Sequence, residues 1–276
     1  MMKILYQGSP GAYSNLAALK VFPDAEIIPC NTFDECFKKA HKDESFRIII
    51  PESNRITGNI GVEYLIFKYR LNIYSEHFHP VHHHLLGLKG SKLEDIKNVY
   101  SHAQGLSQSS KFIKKNKFIE NVRADTAGSA EYVSKTKDKS AAAIASSLSA
   151  KIYNLDILAS NIEDELENVT RFLIMGKSVI QPDLKEKKYI TSFLFKLKSK
   201  PAALYSALSG FAINGVNLTK LQSYPVKNSF SSFFFLCDLD GHIEEDKVQK
   251  SLEELGLHCE DFHVLGVFTA DNFREK

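Results

Sequence analysis

A charged, proline-containing stretch at residues 177–188 separates two differently patterned parts of the chain, and that change of pattern constrains the fold most. Before it, short apolar runs at 3–6, 27–30, 47–50, 99–101, 142–145 and 171–175 alternate with amphipathic ones at 14–22, 32–41, 60–69, 104–115 and 129–137. Strand–helix alternation predicts α/β layers with largely parallel sheets, whose strand ends are the usual place for ligands. After it the order becomes βαββαβ, with strands at 189–197, 218–224, 231–239 and 263–269 and helices at 201–214 and 246–255. That order is a ferredoxin-like unit. For 276 residues two domains are expected, here 1–180 and 188–270 around the linker.

Composition narrows the class of function. A formal net charge of +2, with both signs interspersed, gives no footprint for nucleic acid or a membrane surface. No apolar run approaches the roughly 20 residues a membrane span needs. Cys30, Cys36, Cys237 and Cys259 are scattered, with no C-x-x-C pair, so neither a disulfide framework nor a zinc knuckle is indicated. The first residues lead straight into a strand-like run without a signal-peptide core, and a cytoplasmic location is expected.

Polar clusters stand at five strand ends. Gln7-Gly8-Ser9-Pro10-Gly11-Ala12-Tyr13-Ser14 joins a strand to a helix through two glycines, and a helix N-terminus there offers N–H groups to an anion. Its plainer reading is a βα turn capped by Ser14. Pro51-Glu52-Ser53-Asn54-Arg55 follows a strand and carries an amide and a guanidinium suited to a carboxylate; alternatively Asn54 caps a helix. In Ser101-His102-Ala103-Gln104-Gly105-Leu106-Ser107-Gln108 the two glutamines share a helical face. No third group orients His102, so this is a set of donors rather than a nucleophile and base. Asp125-Thr126-Ala127-Gly128 is another strand-to-helix junction. Finally, Asn168-x-Thr170-Arg171-Phe172 sets an amide, a hydroxyl and a guanidinium at the mouth of an apolar strand, with Phe172 expected in the core.

Taken in this order, the chain resembles the prephenate dehydratase family over nearly its whole length. The matching motifs are Gly8-x-x-Gly11-x-Tyr13-Ser14, Pro51-x-x-Asn54-x-x-x-Gly58, Ser101-His102-x-Gln104, Thr126-Ala127 and Asn168-x-Thr170-Arg171-Phe172, the last being the most specific. The resemblance implies a two-lobed catalytic domain like the periplasmic-binding-protein fold, with substrate between the lobes. It implies that prephenate loses CO2 and its ring hydroxyl to give phenylpyruvate, on the route to phenylalanine. Thr170 is then the key catalytic hydroxyl, with Asn54, Ser101 and Gln108 beside it and Thr126, Ser14, Asn168, Phe172, Arg171 and Arg55 around the substrate. Arg171 and the helix N-termini are expected to hold carboxylates. No hydride moves and no carbanion needs an electron sink, so neither cofactor nor metal is expected.

Two departures bear on the substrate. The family's second motif usually reads Pro-x-Glu-Asn-Ser/Thr, whereas Ser53 stands here for the glutamate and Arg55 for the small hydroxyl residue. The added Arg55 points to the choice between prephenate and its aminated form, arogenate. The altered motif also keeps open an inactive amino-acid sensor.

The second part resembles an ACT domain, a ferredoxin-like module that pairs and binds amino acids. The resemblance implies a homodimer or homotetramer with phenylalanine as effector. The effector site maps to Ala202, Ala203 and Leu204 at the first helix, Asn217 and Leu218, and Gln222-Ser223, where the family carries Gly-Ala-Leu and Glu-Ser. The run His77, His79, His82, His83 and His84 invites a metal, but Pro80 interrupts any helix and strand alternation spreads the rings over both faces. They are read as structural or surface histidines.

Overall fold

A computed structural model describes residues 2–185, 187–226, 229 and 231–275. Glu186, inside the expected linker, and Lys227, Asn228 and Phe230 lie outside the described residues. The chain opens with β1 (Lys3–Gln7), α1 (Tyr13–Val21), β2 (Glu26–Cys30), α2 (Phe33–Lys42), β3 (Phe46–Asn54), β4 (Gly58–Asn59), α3 (Glu63–Tyr69) and β5 (Asn72–Pro80). It continues through β6 (His84–Gly87), β7 (Asn98–Ser101), α4 (Ala103–Ser107), α5 (Ser110–Asn116), β8 (Ile119–Val122), α6 (Thr126–Lys135), β9 (Ala141–Ala145), α7 (Ser147–Ile152), β10 (Asp156–Ala159) and β11 (Val169–Gly176). These strands form two sheets, ordered β2-β1-β3-β11-β5, with β4 beside β3, and β10-β6-β9-β7-β8.

The second sheet is mixed rather than largely parallel. β7 runs parallel to β8 and β9, but β6 is antiparallel to both β9 and β10. At its centre β9 reads Ala-Ala-Ala-Ile-Ala and is buried throughout. Ala143 and Ala145 pack with Ala130, Val133 and Leu155 on one face; Ala142 and Ile144 pack with Val99, Leu106 and Ile113 on the other. A strand covered on both faces needs no polar alternation, and small side chains bring the helices close. β8 and β10 were not expected from the sequence. Both are four residues long and flank the sheet, with Ile119 and Val122 largely exposed, so neither carries a burial pattern.

The single helix expected at 104–115 is broken into α4 and α5. The carboxylate of Asp164 accepts the Lys111 N–H (3.0 Å) while the Asp164 N–H donates to the Gln108 carbonyl (2.6 Å). An acceptor from a distant loop thus starts a new helix where the old one would have continued.

The C-terminal part consists of β12 (Tyr189–Leu197), α8 (Ala203–Ile213), β13 (Leu218–Pro225), β14 (Phe233–Asp240), α9 (Asp246–His258) and β15 (Cys259–Thr269). Its antiparallel sheet has the order β13-β14-β12-β15. This is the expected βαββαβ arrangement. Alternation along β12 sends Phe193 and Phe195 into a core with Ala207, Phe211, Val248 and Leu255.

The chain clusters into two compact units that are not sequential. One comprises Met1–Cys36, Ile49–Ile60 and Phe78–Phe172, the other Phe37–Ile48, Gly61–His77 and Leu173–Lys276. Within the second, Phe67 of α3 stacks on Phe234 (5.0 Å between centroids), Arg70 pairs with Asp261, and Gly266 lies against the Ile73 backbone, where a Cβ would meet the carbonyl oxygen.

Candidate active site

The site lies wholly within the first unit and begins at the β1–α1 turn. Gly8 and Gly11 have φ of 119° and 93°, which only glycine adopts without strain. A Cβ on Gly11 would sit 2.5 Å from the Ser149 hydroxyl, and the Gly11 carbonyl accepts from both Ser146 (2.5 Å) and Ser149 (3.0 Å). The turn is therefore seated on α7, and it delivers Tyr13 and Ser14 to a cavity. Ser14 does not cap α1; Asn15 instead accepts the Gly11 N–H (3.0 Å).

Asn54, at the end of β3, organises the centre. Its side-chain oxygen accepts from the backbone N–H groups of Ile56 (3.0 Å) and Thr57 (3.1 Å), a turn rather than a helix cap. Backbone donors cannot reverse, so the Nδ2 end must point the other way. It donates to Asn168 Oδ1 (2.8 Å) and Thr170 Oγ1 (3.0 Å). The Thr170 oxygen thus accepts from Asn54, which leaves its own proton for a further acceptor.

Beyond Asn168 the chain of bonds continues. Asn168 Nδ2 donates to Gln108 Oε1 (3.1 Å), which also lies 2.8 Å from His83 Nε2. His83 Nδ1 is 2.6 Å from the Tyr13 hydroxyl. Glu163 braces this corner, accepting the His83 backbone N–H (2.9 Å) and pairing with His82 (2.8 Å). Burial pulls the His83 pKa below the usual histidine value and pushes the Tyr13 phenol well above its own. For Glu163 burial acts upward, but the bonds from His82 and the backbone outweigh it and hold the carboxyl below its ordinary range.

Thr170, Asn54, Gln108, Thr126, Ser14 and Phe172 line one cavity of about 380 Å3, together with Tyr13, His83, Gln104 and Asp125. Asn168 does not line it; buried, it bonds to Asn54 and Gln108 behind the lining. Three more expected residues are placed differently. Ser101 is fully buried and donates to the Ile144 carbonyl (2.7 Å), so it lies behind the site. Arg171 follows strand alternation away from Thr170 and Phe172 and faces buried Glu52 (3.4 Å). Arg55 lies at the surface beside Glu167 (2.9 Å). Among the described lining residues none is a lysine or arginine.

The cavity adds Tyr13, His83 and Asp125, to which the sequence assigns no site role, and Gln104, one of the two glutamines expected on a shared helical face. Tyr13 stands in a quoted motif, but nothing local shows that its hydroxyl meets a ring 70 positions away. His83 is hidden in a run of five histidines with separate fates. His79 meets Phe172 edge-on (6.4 Å between centroids), and His82 is half exposed on Glu163. Asp125 caps α6 through the Gly128 N–H (2.5 Å) while facing the cavity.

In the C-terminal part a second hollow, about 360 Å3, opens at the start of α8. Ala202, Ala203 and Leu204 line it with Phe233, Phe235 and Glu260. Asn217 and Leu218 are elsewhere: Asn217 donates to Asp240 (2.7 Å), and Leu218 packs on the core. Gln222 and Ser223 sit on β13, opposite Leu236 and Phe235.

Three comparisons carry the family assignment. The sequence profile of prephenate dehydratase matches residues 4–179. A bifunctional N-acyl-homoserine lactone acylase/prephenate dehydratase of Komagataeibacter europaeus is 36% identical over 274 residues, 99% of this chain and 98% of that protein. An arogenate dehydratase/prephenate dehydratase of Arabidopsis thaliana is 36% identical over 289 residues, 99% of this chain and 73% of that one. Among solved structures, the prephenate dehydratase of Arthrobacter aurescens in complex with L-Phe superposes with a TM-score of 0.90 at 25% identity, covering 98% of this chain and 90% of that one. A cavity of hydroxyl and amide donors in a chain so related leads to one assignment: it belongs to the prephenate dehydratase family.

Proposed function

We propose that this enzyme converts prephenate to phenylpyruvate, with residues 1–180 catalytic and 188–270 regulatory. The reaction breaks the bond from the ring to the departing carboxylate and the bond from the ring to the hydroxyl. The electron pair released with CO2 aromatises the ring, and the leaving oxygen takes a proton to become water. The observation that carries the reading is the orientation of Thr170, whose oxygen accepts from Asn54 at 3.0 Å and so frees its proton for the leaving hydroxyl. A donor aimed at developing negative charge supplies about 10²–10³ in rate. Ser14 and Thr126, each near the start of a helix, together with Gln104, supply neutral donors for the carboxylates.

The assay is phenylpyruvate formation from prephenate, with arogenate run in parallel. Thr170→Ala is expected to lower kcat about 10²–10³-fold and Thr170→Ser to keep most of it; near-normal kcat in Thr170→Ala would sink the assignment. Turnover of arogenate alone would move the substrate to the aminated form. The acylase activity in the Komagataeibacter relative's name asks for an activated nucleophile. Here His83 is engaged by Tyr13 and Gln108 rather than by a serine, which favours the lyase reading.

The hollow at α8 supports phenylalanine as effector, since it sets an apolar wall of Leu204, Phe233 and Phe235 beside Glu260, whose carboxylate an ammonium would share with Lys196 (2.6 Å). Inhibition of prephenate turnover by phenylalanine, lost on filling the hollow with Ala203→Phe, is the corresponding readout.

A further inference from the structure

We propose that Tyr13 and His83 are positioning residues that hold the Gln108 side-chain amide with its N–H2 presented to the cavity, so that Gln108 donates to a carboxylate oxygen of the ligand. The N–H groups of Ile56 and Thr57 fix the Asn54 oxygen, which makes Asn54 Nδ2 a donor and Asn168 Oδ1 its acceptor. Asn168 must then offer Nδ2 to Gln108, and only the Gln108 oxygen can receive it. That same oxygen lies 2.8 Å from His83 Nε2, so Nε2 must carry a proton. Since burial disfavours the imidazolium, Nδ1 is bare, and the Tyr13 hydroxyl at 2.6 Å donates to it while sharing its proton with the His82 carbonyl at 3.0 Å.

The opposite tautomer would set a bare Nε2 against the Gln108 oxygen. Rotating Gln108 to relieve that would set its N–H2 against the Asn168 N–H2. Every alternative leaves two like groups facing each other in a buried place. The output of this branch of the network is therefore a free donor on Gln108. Gln108 lines the cavity with Thr170, and its Nε2 is buried with no hydrogen-bond partner among the described residues. A buried amide left unpaired is costly, and a ligand oxygen removes that cost. With no lysine or arginine among the described lining residues, such a neutral donor is what a carboxylate meets.

The identity of the ligand rests on the dehydratase reading; the orientation of Gln108 does not, and the test separates them. Nitrogen-15 NMR of the histidine rings reads the tautomer without turnover, with His83 assigned by its disappearance in His83→Gln. The expected state near neutral pH is protonated at Nε2 and bare at Nδ1, with the Nδ1 resonance shifting in Tyr13→Phe. A ring protonated at Nδ1 alone overturns the proposal whatever the enzyme does. In steady-state assays of the full chain, His83→Leu is expected to raise KM for prephenate about 10- to 100-fold with a much smaller change in kcat, since the carboxylate that does not depart is held alike before and during reaction. His83→Gln, whose amide can return an N–H to the Nε2 position, should recover most of that loss. Equal KM values in wild type and a folded His83→Leu, or equal losses in the leucine and glutamine variants, overturn the proposal. If His83→Leu does not fold, Tyr13→Phe carries the test, and an unchanged KM there has the same force. A wild-type enzyme inactive on prephenate would sink the substrate reading, while the tautomer would still decide the orientation.

Discussion

At the mouth of β11 neighbouring residues take opposite faces. Thr170 and Phe172 turn to the cavity and Arg171 to Glu52, because successive side chains of a strand alternate. Here the arginine belongs to the frame of the site rather than to its ligand contacts. The residues that frame the site also tie stability to pH. His83 and His84 are pulled down by burial from a histidine value of 6.5, so they resist a proton that the unfolded chain accepts. Their contribution is complete above about pH 6.5 and falls as pH drops below it; that of Glu163, also depressed, is lost only further down, in the carboxylate range. Denaturant midpoints should therefore decline from about pH 7 to about pH 5.5, and decline less steeply in His83→Gln. Parallel slopes would remove His83 from the linkage.

Among the elements, the short ones are those the sequence concealed. The break between α4 and α5 depends on Asp164, more than fifty positions along the chain, and it is what brings Gln108 out of a helix and into the cavity. β8 and β10 lack a burial pattern, whereas β11 and β12 announce themselves by long apolar runs. The start of α8 holds a different lesson. Ala202 sits in the left-handed region at φ 58°, where the resembled family has glycine. An alanine there costs about 1–2 kcal/mol, against about 0.4–1 kcal/mol of chain entropy that glycine forfeits on folding. Ala202→Gly should thus stabilise the protein by about 0.5–1 kcal/mol, read as a higher urea midpoint; a lower midpoint would refute the strain argument.

On the scale of the whole molecule, segments far apart in sequence are joined by charges that no motif foretells. In the second unit Arg274 pairs with buried Glu76 of β5 through two nitrogens (2.5 and 2.8 Å), and Asp271 donates its N–H to the same carboxylate (3.1 Å). Removing one partner of such a pair leaves a buried charge, a loss of about 3 kcal/mol. Arg274→Ala should lower the unfolding free energy by about that amount; a change below about 0.5 kcal/mol, typical of a surface residue, would show that the C-terminal turn is not structural.

What the sequence determined by itself is the set of local patterns. Apolar periodicity foretold the α/β part and the βαββαβ part, and glycine turns with hydroxyls and amides at strand ends marked Gly8, Gly11, Asn54, Thr126 and Thr170. These were legible because periodicity and turn chemistry act over a few residues. Only the tertiary structure decided which way each polar group faces. It set Arg171 against Glu52, Ser101 behind the site, and Tyr13 on His83, because hydrogen bonds between residues 43 to 119 positions apart leave no trace in spacing. The directions of the Asn54, Asn168 and Gln108 amides are inherited from two backbone N–H groups beside Asn54, and backbone geometry at that precision exists only once the chain has folded.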